Sequence, residues 1–273
     1  MVDPPDADAL SFPHLDDPAE TGMPDATERA FRSHHDAQLA PSGRIENTIA
    51  EIERVYRMDA DAVVALSGGK DSMATLALAA AADCEHRAFH WDWGSRLIPR
   101  EIERAVLGNA REYVSDERLY VAARAHSTVK PYAYHAAFKR GLREADGITD
   151  PDGSLSRLAG VLSRTDAIGH QIVGLRAGES GTRSRKLDDT GLLGESLGQP
   201  AAFPLREWHA RDVWAYLVAN DVPYPDHYDR LARSAGDGSP AAYEQARFTT
   251  FFDPEFEALS GAAMGVAEWR HRR

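Results

Sequence analysis

Asp61-Ala62-Val63-Val64-Ala65-Leu66-Ser67-Gly68-Gly69-Lys70-Asp71-Ser72-Met73 is the stretch on which the fold turns. Its first half is a short apolar run rich in β-branched residues, the pattern of a strand buried on both faces of a parallel sheet. Ser67-Gly68-Gly69 breaks the run sharply. From Asp71 to Ala82 an Ala- and Leu-rich helix follows, with Met73, Leu76, Ala77 and Ala80 on one side. A strand, a glycine turn and a helix in that order form an anion cradle. Glycines let the backbone turn tightly against a ligand, and the helix start offers free N–H groups and the positive end of its dipole. Ser67 and Ser72 add hydroxyl donors. The lysine follows two adjacent glycines and no earlier glycine stands at the needed spacing, so this is not the G-x-x-x-x-G-K nucleotide loop.

Outward from the loop the scheme repeats. Upstream, Ile45, Ile49, Ile52 and Val55 recur at helical spacing and end near Tyr56-Arg57-Met58. Downstream, Cys84 to Asp92 reads as a second strand, Pro99 to Tyr113 as a helix with Ile102, Ala105 and Val106 inward, and Leu119 to Ala122 as a third strand. Thr128 to His170 reads as mostly helical, broken at Asp150-Pro151-Asp152-Gly153. Gln171 to Leu175 reads as a strand entering a polar loop, and Arg211 to Ala219 as a helix. Strands alternating with helices predict an α/β fold, a doubly wound parallel sheet with flanking helices and a helical C-terminal part. The expected division is an acidic, Pro-rich, partly disordered arm over 1–43 with a short helix near 26–34, a nucleotide-binding domain over 44–235, and a helical extension over 236–273.

Composition narrows the function classes. The 273 residues carry a net charge of -12 and only four lysines, Lys70, Lys130, Lys139 and Lys186. Such a surface suits salt and solubility and disfavours non-specific nucleic-acid binding, leaving DNA to a local Arg cluster or to other subunits. No apolar run approaches the ~18 residues of a membrane span. The N-terminus lacks a secretory pattern, so the expected location is the cytoplasm, with no membrane contact. Cys84 is the single cysteine, too few for an internal disulfide, a Cys-rich zinc site or an iron–sulfur ligand set.

Three further segments bear on chemistry. Gly174-Leu175-Arg176-Ala177-Gly178-Glu179-Ser180-Gly181-Thr182-Arg183 places two arginines after a strand, where they can fork onto phosphate oxygens while Glu179 holds one in position. In Pro204 to Tyr216, followed by Pro223-Tyr224-Pro225-Asp226-His227-Tyr228, Trp208, Val213 and Trp214 read as core and Asp212 as a helix cap. His90-Trp91-Asp92-Trp93-Gly94 ends the second strand, where open α/β sheets place ligands, although either tryptophan serves equally as core. The stretch from His126 to His135, with Lys139 and Arg140 after it, is either the lining of an acceptor channel or an ordinary amphipathic helix.

With Ser67-Gly68-Gly69-Lys70-Asp71-Ser72 the sequence resembles the PP-loop ATP pyrophosphatase superfamily, and with Gly174 to Arg183 and the Pro204 to Tyr228 segment its phosphoadenosine-phosphosulfate-reductase-like branch. The resemblance spans about Ile45 to Tyr228. It implies an adenine-nucleotide α-hydrolase-like, Rossmann-like fold that cleaves ATP to AMP and pyrophosphate, with magnesium. Carried over, Ser67, Gly68, Gly69 and Ser72 hold phosphate, Lys70 offsets charge on the leaving pyrophosphate, and Asp71 orients the loop or helps hold magnesium. Asp92, Gly94, Gly174, Arg176, Glu179, Ser180 and Arg183 complete the implied nucleotide contacts, with Lys70, Asp71 and Arg176 as the catalytic set.

The branch's reductases attack sulfur with a cysteine near the C-terminus, whereas this sequence runs to Trp269-Arg270-His271-Arg272-Arg273 with Cys84 beside a strand. ATP-dependent activation is what the resemblance leaves, with sulfur supplied by a donor protein such as a cysteine desulfurase. The nearest likeness is to the ATP pyrophosphatase components of DNA phosphorothioation. A sulfate adenylyltransferase small subunit, a sulfonucleotide reductase-like enzyme, FAD-synthetase-like adenylyl transfer and a non-catalytic nucleotide-binding scaffold are the alternatives, and a homo-oligomer is left open.

Overall fold

The computed structural model describes residues 22–91, 100–122, 169–179, 181–196 and 199–246. Helix α1, Asp25–His34, continues through a wide turn at His35–Leu39 and a tight one at Ala40–Ser42 into α2, Arg44–Met58. Strand β1, Val63–Leu66, leads into α3, Lys70–Ala81, then β2, Ala88–Trp91, α4, Arg100–Ala110, and β3, Leu119–Ala122. Strand β4, Gln171–Ile172, precedes a short turn at Ala177–Glu179 and α5, Gly181–Thr190. The hairpin β5, Leu193–Ser196, and β6, Gln199–Ala202, is followed by α6, Ala210–Ala219, α7, His227–Gly236, and α8, Pro240–Gln245.

The six strands lie in the order β3-β2-β1-β4-β6-β5, parallel throughout except for β5 against β6. Chain order therefore runs outward from β1 to β2 and β3 on one side, and to β4 on the other. Where the order reverses, the segments leaving β1 and β4 emerge side by side beyond the carboxyl ends of the strands, the usual ligand position in such sheets. Helix α3 sits at the centre: Met73, Ala74, Leu76, Leu78 and Ala79 are all 0% exposed, so the helix that begins at the glycine loop is covered on every side.

Several elements depart in extent from the sequence reading. The second strand starts at Ala88 rather than Cys84, and β4 ends at Ile172. The polar loop expected after β4 is largely helix α5, and the hairpin β5–β6 adds an antiparallel edge that the alternation of strands and helices did not announce. The short helix expected near 26–34 is α1, and helical turns continue to residue 42 within the stretch read as the N-terminal arm. Thr27, Phe31 and Leu39 are buried, Phe31 stacks on Trp214 at 6.1 Å, and α1 lies along α6. The buried Asp212 of α6 fixes this packing, with one carboxylate oxygen 2.8 Å from His34 Nε2 and the other accepting from Arg44 Nη1 at 2.5 Å. The same Asp212 accepts from the His209 N–H at the start of α6, as the cap reading expects. Trp208, Val213 and Trp214 are buried, as expected.

At the outer strand β5, Lys186 Nζ donates to the Glu195 carbonyl at 2.5 Å. The helical expectation for 128–168 lies outside the described residues. Among the described residues no helix is long and apolar enough to cross a membrane. Because Phe31 is fully buried against Trp214 and Tyr243, Phe31→Ala is expected to lower unfolding stability by about 3–5 kcal/mol in urea titration.

Candidate active site

The loop between β1 and α3 is shaped by one hydroxyl. Ser72 Oγ accepts from the N–H groups of Ser67 and Gly68 and from Ser67 Oγ, and donates to the Gly69 carbonyl at 2.9 Å. Gly68 has φ +83°, and a Cβ there would meet the Val106 side chain of α4 at 2.2 Å, so only glycine fits. The N-cap is Gly69, which has no side chain to bond the first turn of α3, leaving a helix start of the kind that attracts anions. The first N–H of α3, that of Lys70, is taken by the Tyr228 hydroxyl at 3.1 Å.

Behind the loop lies a chain of alternating charges. Asp71 receives Lys70 Nζ at 3.2 Å on one carboxylate oxygen and Arg176 Nε at 2.5 Å on the other. Arg176 Nη2 lies 3.3 Å from Glu179, and Glu179 also meets Arg183 on α5. Lys70 and Arg176 are 4% and 5% exposed, so the shared carboxylate is what makes burial of two cations tolerable. Burial alone would raise the Asp71 pKa, but Lys70 and Arg176 outweigh it and hold the carboxyl below the ordinary aspartate value. The segment after β4 reaches Asp71 because residue 174 is glycine: a Cβ there would lie 2.6 Å from the Asp71 carbonyl oxygen. Thr75 Oγ1 donates to that same carbonyl at 2.8 Å.

The structure thus brings together Ser67, Gly68, Gly69, Lys70, Asp71 and Ser72 with Gly174, Arg176, Glu179 and Arg183. Asp92, Gly94 and Ser180 lie outside the described residues. His90 is buried, its Nδ1 3.0 Å from the Leu66 carbonyl and its Nε2 3.7 Å from Glu103. It props the strand before the loop. Two contacts were not foreseen: the Tyr228 hydroxyl on the Lys70 N–H, and the Ala246 carbonyl 3.4 Å from Lys70 Nζ. They join positions 158 and 176 residues apart, with no local sequence signal.

Asp71 does not fit a magnesium ligand in this arrangement, since each of its oxygens already faces a cation. Among the described residues no group of three or more His, Cys, Asp or Glu side chains could hold a metal ion. Burial pushes the Cys84 thiol up to about 11, which leaves little thiolate near neutrality.

Residues 61–241 match the family described as phosphoadenosine phosphosulfate reductase domain. Comparison with curated proteins gives no match. Among solved structures the chain is similar to a phosphoadenylyl-sulfate reductase from Candida auris in a phosphate complex, with TM-score 0.44 and 14% identity over 76% of this chain and 92% of that one. It is also similar to the FMN adenylyltransferase of Candida glabrata, with TM-score 0.46 and 11% identity over 75% of this chain and 65% of that one. A tRNA thiolase from Methanococcus maripaludis that carries an iron–sulfur cluster gives TM-score 0.43 and 12% identity over 80% and 79%.

Two outcomes follow. Asp71→Asn leaves Lys70 and Arg176 facing a neutral amide and is expected to cost about 3 kcal/mol at neutral pH. A depressed folded pKa stabilises the protein above the ordinary aspartate value of 3.8, and that contribution is lost as pH falls through the lower folded value. The gap between wild type and Asp71→Asn in urea unfolding should therefore close on acidification below pH 3.8. With its thiol raised to about 11, Cys84 should alkylate with iodoacetamide at pH 7 roughly a hundredfold more slowly than free cysteine, as read by mass spectrometry.

Proposed function

The chain belongs to the phosphoadenosine phosphosulfate reductase domain family, within the PP-loop ATP pyrophosphatase superfamily, and we propose that it cleaves ATP to AMP and pyrophosphate, adenylating an acceptor on the way. The observation that carries this reading is the alternating chain Lys70-Asp71-Arg176-Glu179-Arg183 beside the open end of α3. Phosphoryl and adenylyl transfer demand positioned positive charge where negative charge develops, more than covalent chemistry from the protein. In the proposed reaction an acceptor oxygen attacks the α-phosphorus, the bond from that phosphorus to the bridging oxygen breaks, and pyrophosphate leaves with the electron pair. Sulfur from the donor protein then attacks the adenylated acceptor, and the acceptor–oxygen bond breaks as AMP leaves.

Each residue has a part in this scheme. The loop Ser67–Ser72 and the end of α3 cradle the departing phosphates through backbone N–H groups, and Lys70 meets their charge. Arg176 is aimed by Asp71 and Glu179, so its guanidinium faces the phosphates from the β4 side. Asp71 acts by positioning both cations. Magnesium would come with the triphosphate, because each Asp71 oxygen already faces a cation.

The acceptor is proposed from resemblance and composition. Incorporation of sulfur, with a DNA backbone phosphate as the acceptor, fits a chain with one weakly acidic thiol, which needs a separate sulfur donor such as a cysteine desulfurase. The net charge of -12 favours DNA contact through other subunits, and a cytoplasmic location goes with both partners. The paired state of Lys70 and Arg176 supports a second reading, a nucleotide-binding scaffold without turnover of its own.

Purified protein with ATP, magnesium and duplex DNA as acceptor is expected to release pyrophosphate, read through a coupled inorganic pyrophosphatase. Lys70→Ala and Asp71→Ala should each reduce that release by at least about a hundredfold. ATP bound without release at any salt concentration would favour the scaffold.

A further inference from the structure

The proposed reaction asks Lys70 to meet phosphate, yet its ammonium is buried and already engaged. Its neighbours include Asp71 Oδ2 at 3.2 Å, the Ala246 carbonyl at 3.4 Å, and the ring of Tyr228 with its centroid at 5.9 Å. The carbonyl belongs to the C-cap of α8, beyond residue 241 where the family match ends.

Helix α8 is otherwise firmly seated. Trp214 Nε1 donates to the Tyr243 carbonyl at 2.7 Å. The Tyr243 hydroxyl donates to the buried Asp229 at 2.6 Å, an oxygen that also receives the Tyr224 hydroxyl at 3.1 Å. Tyr243 is 0% exposed and packs edge-on against Phe31 and Trp214. Lys70 therefore tethers only the last carbonyl of the helix, at the turn closed by the Ala246 N–H on the Ala242 carbonyl at 3.0 Å.

The neighbours of the ammonium differ in what their loss would cost. Asp71 carries a full negative charge, and an ammonium this deeply buried that parted from it would give up an ion pair. The neutral carbonyl of Ala246 is the weaker acceptor, and a charged phosphate oxygen competes well against it for an ammonium proton. We infer that the Lys70–Ala246 contact is a resting-state latch, which nucleotide releases by replacing the carbonyl with a phosphate oxygen. The end of α8 then loosens while Tyr243 stays pinned. This rests on the ATP-binding reading, and it lets occupancy of the loop change how the chain leaves α8.

Amide hydrogen exchange by NMR tests the latch in two ways. Lys70→Met, without ligand, is expected to speed exchange at the Ala246 N–H about tenfold and leave the Tyr243 N–H unchanged. Wild-type protein saturated with the non-cleavable analogue α,β-methylene-ATP should show the same local change. Should Lys70→Met fail to fold, the wild-type arm decides alone. Calorimetry separates the two readings: heat of binding with Ala246 exchange unchanged or slowed overturns the latch alone, whereas no heat overturns the ATP reading and the latch with it. Equal acceleration at Tyr243 would mean general loosening of α8 and would also overturn the latch.

Discussion

The Asp71 carboxylate receives two cations that arrive from different parts of the chain, Lys70 from its own helix and Arg176 from the segment after β4. Burying any one of the three charges alone would be prohibitive, and together they are tolerated because each oxygen and each cation finds its opposite. That arrangement requires β4 to lie beside β1, residue 174 to lack a side chain, and α3 to begin where Gly68 and Gly69 end. The sheet order and the site are thus one constraint. Removing the carboxylate would disturb the packing of α3 as much as any chemistry it supports.

A second layer ties the site to the core. Trp214 is surrounded by Phe31, Tyr224, Tyr228 and Tyr243, ring against ring, so α1, α6, α7 and α8 share one aromatic centre. Tyr228 belongs to that centre by its ring and to the loop by its hydroxyl. The N-terminal helix is therefore part of what holds the loop, at one remove, through Phe31 and through the Asp212 pairs with His34 and Arg44.

The loop and its flanking strand and helix were legible because their signals are local. Two glycines between a β-branched run and an Ala-rich run admit few conformations, and Gly68 at positive φ is the physical reason. Gly174 and Arg176 were legible by motif, although the carboxylate that receives Arg176 stands 105 residues away. Helix α1 was legible near 26–34, but its continuation over 35–42 was not, because Phe31 and Leu39 are sparse apolar marks among Asp, His and Pro, and the partners of Phe31 lie on α6 and α8. Helix α5 buries only Leu187 among its described side chains, so periodicity had nothing to report. The hairpin was hidden for the opposite reason: Gly194, Pro200 and Glu195 argue against strands, and β6 admits Pro200 only before its pairing with β4 begins at Ala201.

That hairpin carries a further consequence at its outer rim. An edge strand presents open backbone groups to any other extended chain, and a sheet of this kind would accept a further strand there. On β5 the Glu195 carbonyl is taken by Lys186 from the preceding helix, and the ammonium brings a charge that a newcomer would have to strip of water. One of the four lysines in the sequence thus closes a carbonyl of this strand to a newcomer. The charge that marks the rim is independent of any turnover at the middle of the sheet order, where β1 and β4 meet.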